Sequence, residues 1–318
     1  MNQFVSGFLY TIIAYGTPLI LCSLGGMMTG LSGRFNLGME GMMLFAAFFS
    51  LYFANLWNSL LLGLLMGVGI TVLIGLFMAL MTLRLGVDIY IVGMGINILG
   101  TGLTTFLIYV LTGSQGSIIY PNAPRLAKLT TPLIEKIPYL NQVLSNHTWL
   151  DYLAIVLVVV LYAVIFKTAF GRRLRAVGMS EWVASARGIS VDGMIYASYA
   201  VCGALCGLAG ASLSLSQGIF VGGFVGMTNG RGWLAMAVVI LAQSNPYTVL
   251  FSAWALGALS AAGDILQAAV GFPARLVQML PFLGALVAAS IYSYRRMKLS
   301  KQSFSQYQKP FRFLILSA

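Results

Sequence analysis

The sequence predicts an all-α, polytopic membrane protein, and three observations predict it. Hydrophobic residues make up 59% of the 318 residues and charged residues only 8%, whereas soluble domains are about a quarter charged. Apolar runs close to the ~20 residues that cross a bilayer recur along most of the chain. The basic residues behind the net charge of +11 lie between those runs and at the C-terminus, where they report orientation rather than nucleic-acid contact.

About nine spans follow, at 4–30, 41–56, 59–82, 88–111, 151–169, 193–216, 232–244, 246–267 and 272–293. Two of them, 41–56 and 232–244, are too short to cross alone. Both adjoin Gly-rich polar sequence, which marks broken or re-entrant helices. Residues 1–294 thus form the transmembrane domain, with a loop at 112–150, a basic loop at 170–192 and a basic tail at 295–318.

With the 170–192 loop cytoplasmic, the N-terminus is outside and the C-terminus inside. Thirteen Lys and Arg then fall inside: Arg34, Arg84, Lys167, Arg172, Arg173, Arg175, Arg187 and six from Arg295 to Arg312. Five fall outside: Arg125, Lys128, Lys136, Arg231 and Arg275. This bias is the one the positive-inside rule requires. No Lys or Arg precedes Arg34 and no small-residue cleavage site follows the first run, so that helix is expected to be retained. Pro121, Pro124, Pro132 and Pro138 exclude one continuous helix from the external loop. His147 in that loop reads as a solvated side chain.

Several chemistries are absent. There is no GxxxxGK[ST], so no P-loop for ATP; no HExxH, no GxSxG and no metal-spaced Cys/His group. Cys22, Cys202 and Cys206 sit in apolar segments and read as buried thiols. Asp264 is the one acidic residue clearly inside a predicted span, which leaves little for a carboxylate proton relay. An intramembrane enzyme therefore lacks a catalytic constellation. An ion- or proton-coupled carrier acting without an ATPase remains the alternative to an ATP-driven transporter, and reconstitution of the chain alone separates them.

Three constellations could carry function. The first is GLSGRFNLGMEG, Gly30 to Gly41, which joins a long apolar helix to a short one and sets Asn36 and Glu40 one turn apart. Helix ends at membrane depth present unpaired backbone groups suited to a polar solute. A plain turn in which Glu40 pairs with Arg34 is equally compatible with the spacing. The second is the basic segment Gly171 to Val191, in which Ser180 as N-cap, Glu181 in the first turn and Gly188 as stop predict a short helix suited to docking on another protein. The third is a set of glycines four apart, chiefly Gly63 and Gly67, and Gly203 and Gly207, expected to let helices cross closely. The Gly-rich break from Ser216 to Gly232 resembles the first constellation and suggests a pseudo-repeat of two halves around a central site.

Taken together, FNLGMEGMMLFAAF (Phe35 to Phe48), GINILGTGLTTFLI (Gly95 to Ile108), FGRRLRAVGMSEWVASARGISV (from Phe170) and GRGWLAMAVVIL (Gly230 to Leu241) resemble, in order, the signatures of ABC-transporter permeases of the branched-chain amino acid and ribose type. The nucleoside and simple-sugar branch is the nearest, and the resemblance runs over nearly the whole chain. It implies two permease subunits, often different chains, with cytoplasmic ATPases and an external lipid-anchored solute-binding protein, in a bacterial inner membrane. No cofactor is expected on this chain; ATP and Mg belong to the partner ATPase. Arg175, Gly178, Glu181, Ala184, Ala186, Arg187 and Gly188 would form the ATPase-coupling segment. Where such importers often carry Asn-Pro just beyond Gly178, this chain has Met179, Ser180, Glu181 and Trp182. Phe35, Asn36, Gly38, Glu40, Gly41, Asn97, Phe220 and Asn229 would line or brace the substrate pathway. The cargo implied is a nucleoside or a simple sugar, neutral and polar, since a charged solute needs a buried counter-charge that the spans do not offer.

Overall fold

The computed structural model describes residues 2–113, 116–129, 143, 145–223, 226–270, 273–291 and 294. The tail at 295–318 and, in the loop at 112–150, Pro132, Lys136 and Pro138 lie outside the described residues. The helices are α1 (Asn2–Leu31), α2 (Met39–Leu56), α3 (Leu60–Arg84), α4 (Ile89–Thr112), α5 (Trp149–Lys167), α6 (Ala169–Met179), α7 (Glu181–Ala186), α8 (Val191–Gln217), α9 (Arg231–Ala242), α10 (Pro246–Val270), α11 (Ala274–Val277) and α12 (Leu280–Ile291). Among the described residues seven helices are long and apolar enough to cross a membrane, and α9 and α12 are shorter apolar helices.

Local chemistry sets the helix starts. Ser59, Asp88, Thr168, Ser180 and Ser190 each accept a hydrogen bond from a backbone N–H in the first turn that follows. Thr148 and Asp151 form a capping box on α5. Gly113 and Gly218 close α4 and α8 in the left-handed conformation.

Two helices form the centre. α2 and α8 bury most of their surface, whereas α3 and α4 leave wide apolar faces exposed, as expected where lipid or another subunit supplies the contact. The glycines of α8 let backbones touch, as anticipated: a Cβ on Gly203 would lie 2.5 Å from Thr71 O of α3, and one on Gly210 would lie 2.2 Å from Met43 O of α2. Cys22 Sγ lies 3.8 Å from Cys206 Sγ, and Cys202 Sγ lies 3.9 Å from Cys206 Sγ. All three are buried free thiols at the α1–α8 crossing.

Four expectations change. The span expected at 41–56 begins two residues earlier, and its 18 residues extend about 27 Å, enough to approach the ~30 Å hydrocarbon core. It is thus a complete central helix that starts deep. The span expected at 272–293 is divided into α11 and α12, which follow Pro273. The loop after α4 adds short strands: β1 (Ser117–Ile119) pairs antiparallel with β4 (Ile219–Val221), and β2 (Lys128–Leu129) with β3 (His147–Thr148). His147 is 2% exposed rather than solvated. Its ring stacks on Tyr10 at 4.3 Å, and its Nδ1 lies 3.7 Å from Asp151.

Candidate functional site: a cavity at two facing helix starts

The chain after α1 does not turn directly into α2. It runs extended through Phe35, Asn36 and Leu37 alongside α1, so that Met39 packs on Gly26, five residues before the end of α1. Asn36 is wholly buried and shapes this re-entry. Its Oδ1 accepts from Gly38 N at 2.7 Å, and its Nδ2 donates to Cys202 Sγ and Met42 Sδ, both at 3.3 Å.

The second break ends in the same place. Asn229 (φ +47°) and Gly230 (φ +76°) take the left-handed conformation and aim the start of α9 at Glu40. The Glu40 carboxylate accepts from Gly230 N at 3.1 Å, from Gly232 N at 2.6 Å and from the Thr228 hydroxyl. An anion at a helix N-terminus is stabilised by the unpaired N–H groups and the helix dipole. Here one carboxylate serves two helices, because Glu40 also sits in the first turn of α2. Glycine is required at 232: a Cβ there would lie 2.6 Å from the backbone N of Glu40. The plain-turn pairing of Glu40 with Arg34 is therefore excluded, and Arg34 instead pairs with Glu181 at 3.0 Å.

The two helices leave Glu40 in opposite directions. α9 runs alongside α1, with Ser23 Oγ donating to Ala235 O and Gly26 touching Val239. α2 runs alongside α8, which is antiparallel to α1. Helix starts that meet inside a bundle and diverge from a common point are an arrangement used at transport sites.

Beside this junction lies a cavity of about 790 Å³, lined by Glu40, Asn97, Asn229, Trp233, Gln278 and Phe282 among others. That is within the range of small-molecule sites. Asn97 fastens α4 to the first break: its Oδ1 accepts from Gly41 N and its Nδ2 donates to Leu37 O, both at 2.8 Å. Gly41 permits the approach, since a Cβ there would lie 2.3 Å from Ile96 O.

Of the eight residues expected at the pathway, Glu40, Asn97 and Asn229 line the cavity. Phe35, Asn36, Gly38 and Gly41 build the re-entrant segment behind it. Phe220 is buried in β4 with its ring edge-on to Phe48 at 5.4 Å. Trp233, Thr101, Gln278 and Phe282 were not anticipated. Trp233 and Thr101 lie inside the quoted GRGWLAMAVVIL and GINILGTGLTTFLI stretches, but Gln278 and Phe282 carry no local signal. Arg231, counted as external, lies over the ring of Tyr15 at 5.5 Å, midway along α1.

The basic segment forms a corner between α6 and α7. Ser180 caps α7 and Gly188 (φ +76°) follows its end, as the sequence predicts. Gly178 is pressed on the end of α1: a Cβ there would lie 2.1 Å from Leu31 O, and one on Gly33 would lie 3.2 Å from Gly178 Cα. Arg175 folds back over Phe166 at 5.0 Å. Ala184 is 1% exposed, so it packs inside the corner, whereas Glu181, Ala186, Arg187 and Gly188 are exposed. Two apolar side chains absent from the expected set project furthest, Met179 at 88% and Trp182 at 80% exposure.

Residues 8–289 match the family described as branched-chain amino acid transport system / permease component. The chain belongs to that permease family. This permease is 30% identical to the nucleoside ABC transporter permease protein NupC of Lactococcus lactis subsp. cremoris, over 88% of this chain and 90% of that one. It is 29% identical to the guanosine ABC transporter permease protein NupQ of Bacillus subtilis, over 90% and 92%. A glucose ABC transporter permease protein of Haloferax volcanii, TsgB13, is 25% identical over 91% and 77%. The permease also shares its fold with a protein described as a metal-chelate type ABC transporter, solved in an inward-facing conformation, with a TM-score of 0.50 and 18% identity over 88% and 84%.

Proposed function

We propose that this permease forms part of the membrane path of an ATP-driven importer for nucleosides. One observation supports a neutral cargo above all. The carboxylate that lines the large cavity is engaged by Thr228, Gly230 and Gly232, so it is an internal brace and not a counter-charge for a cation. Among the remaining walls, Asn229, Gln278, Thr101, Trp233 and Phe282 offer amides, a hydroxyl and aromatic faces between the apolar side chains of Leu44, Met94, Ile98 and Met279. These suit a flat heterocycle with hydrogen-bonding edges. The relatives named for nucleosides and guanosine, matched over about nine-tenths of their length, support the same class.

On this reading a second permease subunit, a different chain, completes the path beside the exposed face of α4. A cytoplasmic ATPase docks at the α6–α7 corner, and an external lipid-anchored protein delivers the solute. The N-terminus is outside and the C-terminus cytoplasmic. ATP and Mg act on the partner, and this chain converts movement of the corner into rocking of the helices around the cavity.

Uptake by cells carrying the transporter tests the cargo: radiolabelled adenosine or guanosine should accumulate, and accumulation of glucose in their place would refute it. Docking is tested separately. Trp182→Ala with Met179→Ala should release the ATPase during purification and abolish uptake while the permease keeps its melting temperature. Unchanged copurification would remove the corner from the contact.

A further inference from the structure

The large cavity has a polar side chamber. A space of about 110 Å³ is lined by Tyr15 of α1, Asn229 and Arg231 at the start of α9, Asp264 and Gln267 of α10, and Gln278 before α12. Asn229, Gln278 and Phe282 line both spaces, so the two adjoin. A chamber of that size admits several waters. It is too small for a solute that fills the main cavity, and of a size for one polar part of it.

Its chemistry differs from the main cavity's. The chamber brings together two ionisable side chains of opposite sign, Arg231 and Asp264, with a phenol and three amides. Ionisable groups are costly within apolar spans and are retained there chiefly for function. Tyr15 Oη donates to Asp264 Oδ2, and Arg231 lies over the Tyr15 ring while its Nη1 donates to Met227 O at 3.3 Å. One cation and one anion leave no net charge to attract a phosphate or a metal ion. Carboxylate and amide oxygens accept from hydroxyls and amide N–H groups donate to them, so this set suits a cluster of neutral hydroxyls.

We infer that the chamber between α1, α9, α10 and α12 is a subsite for the hydroxyl-bearing ring of the solute, with the heterocycle held in the larger cavity against Trp233 and Phe282. The inference rests on the nucleoside reading and adds to it a division of labour: the aromatic walls take any base, and Asp264 and Gln278 require the hydroxyls.

The test compares uptake of adenosine with that of 2′,3′-dideoxyadenosine in cells carrying the transporter as wild type, Asp264→Asn or Gln278→Leu. Both substitutions replace exposed side chains. Losing a hydrogen bond at a polar site should lower adenosine uptake about fivefold to tenfold, with less than about a twofold change for the dideoxy compound. An equal fall for both compounds would overturn the subsite and make the cluster a brace of the helices. Rejection of the dideoxy compound by wild type and both variants alike would also overturn it, since the discrimination would then lie elsewhere. Absence of any nucleoside uptake by the wild type would instead overturn the cargo reading, and the subsite with it.

Discussion

The two Gly-rich breaks look alike in sequence and do opposite things. The first, Gly30 to Gly41, supplies the acceptor at the junction: Asn36 is engaged by Gly38, Met42 and Cys202 of α8, Leu37 and Gly41 are tied to Asn97, and Glu40 reaches the second break. The second, Ser216 to Gly232, supplies donors, through Thr228, Gly230 and Gly232. It also stays open, presenting Asn229 to both cavities and pairing β4 with β1 of the loop after α4. The two breaks thus form a complementary pair, with the carboxylate on one and the N–H groups that start α9 on the other. Symmetry of pattern has become asymmetry of role.

Substitutions on each side test that pairing. Gly232→Val should have the largest effect, because the added carbons meet backbone atoms of Glu40 that cannot yield. Uptake should fall to background, with a loss of about 1–3 kcal/mol in thermal unfolding of the purified protein. Wild-type transport would show that the two helix starts need not touch. Glu40→Gln comes next: it puts an amide donor before the N–H of Gly230 and Gly232 and removes a charge-assisted interaction worth about 1.5–3 kcal/mol. Uptake should drop about tenfold or more, and a fully active Gln variant would show that shape alone holds the junction. Asn36→Ala should cost less, about 1 kcal/mol for the lost bond to Gly38, because its contacts stay within the first break and its α8 neighbour. A larger loss than for Glu40→Gln, read in the same melting and uptake assays, would reverse the assignment of roles.

How much of this was legible follows from the range of the interactions. The spans were, because a bilayer imposes runs of ~20 apolar residues that a local window detects. So was the α7 corner, where Ser180 and Gly188 act on their own neighbours. The junction was not: Glu40 meets Gly232 across 192 residues, and nothing near Glu40 names that partner. Local spacing allowed Arg34 equally well. The chamber was hidden for the same reason, since Tyr15, Arg231 and Asp264 lie on three helices and each reads alone as a stray polar residue. His147 was misjudged because a lone histidine in a hydrophilic loop carries no sign that Tyr10 of α1 covers it.

The contact of Gly178 with the end of α1 is a mechanical joint without backlash. Backbone rests on backbone, with Leu31 and Gly33 on one side and Gly178 on the other, so there is no side chain to swing aside and absorb a displacement. On the docking reading, a push on the corner would pass through this contact to the strand of chain leading through Asn36 to Glu40. Small strokes suffice when the linkage has no slack.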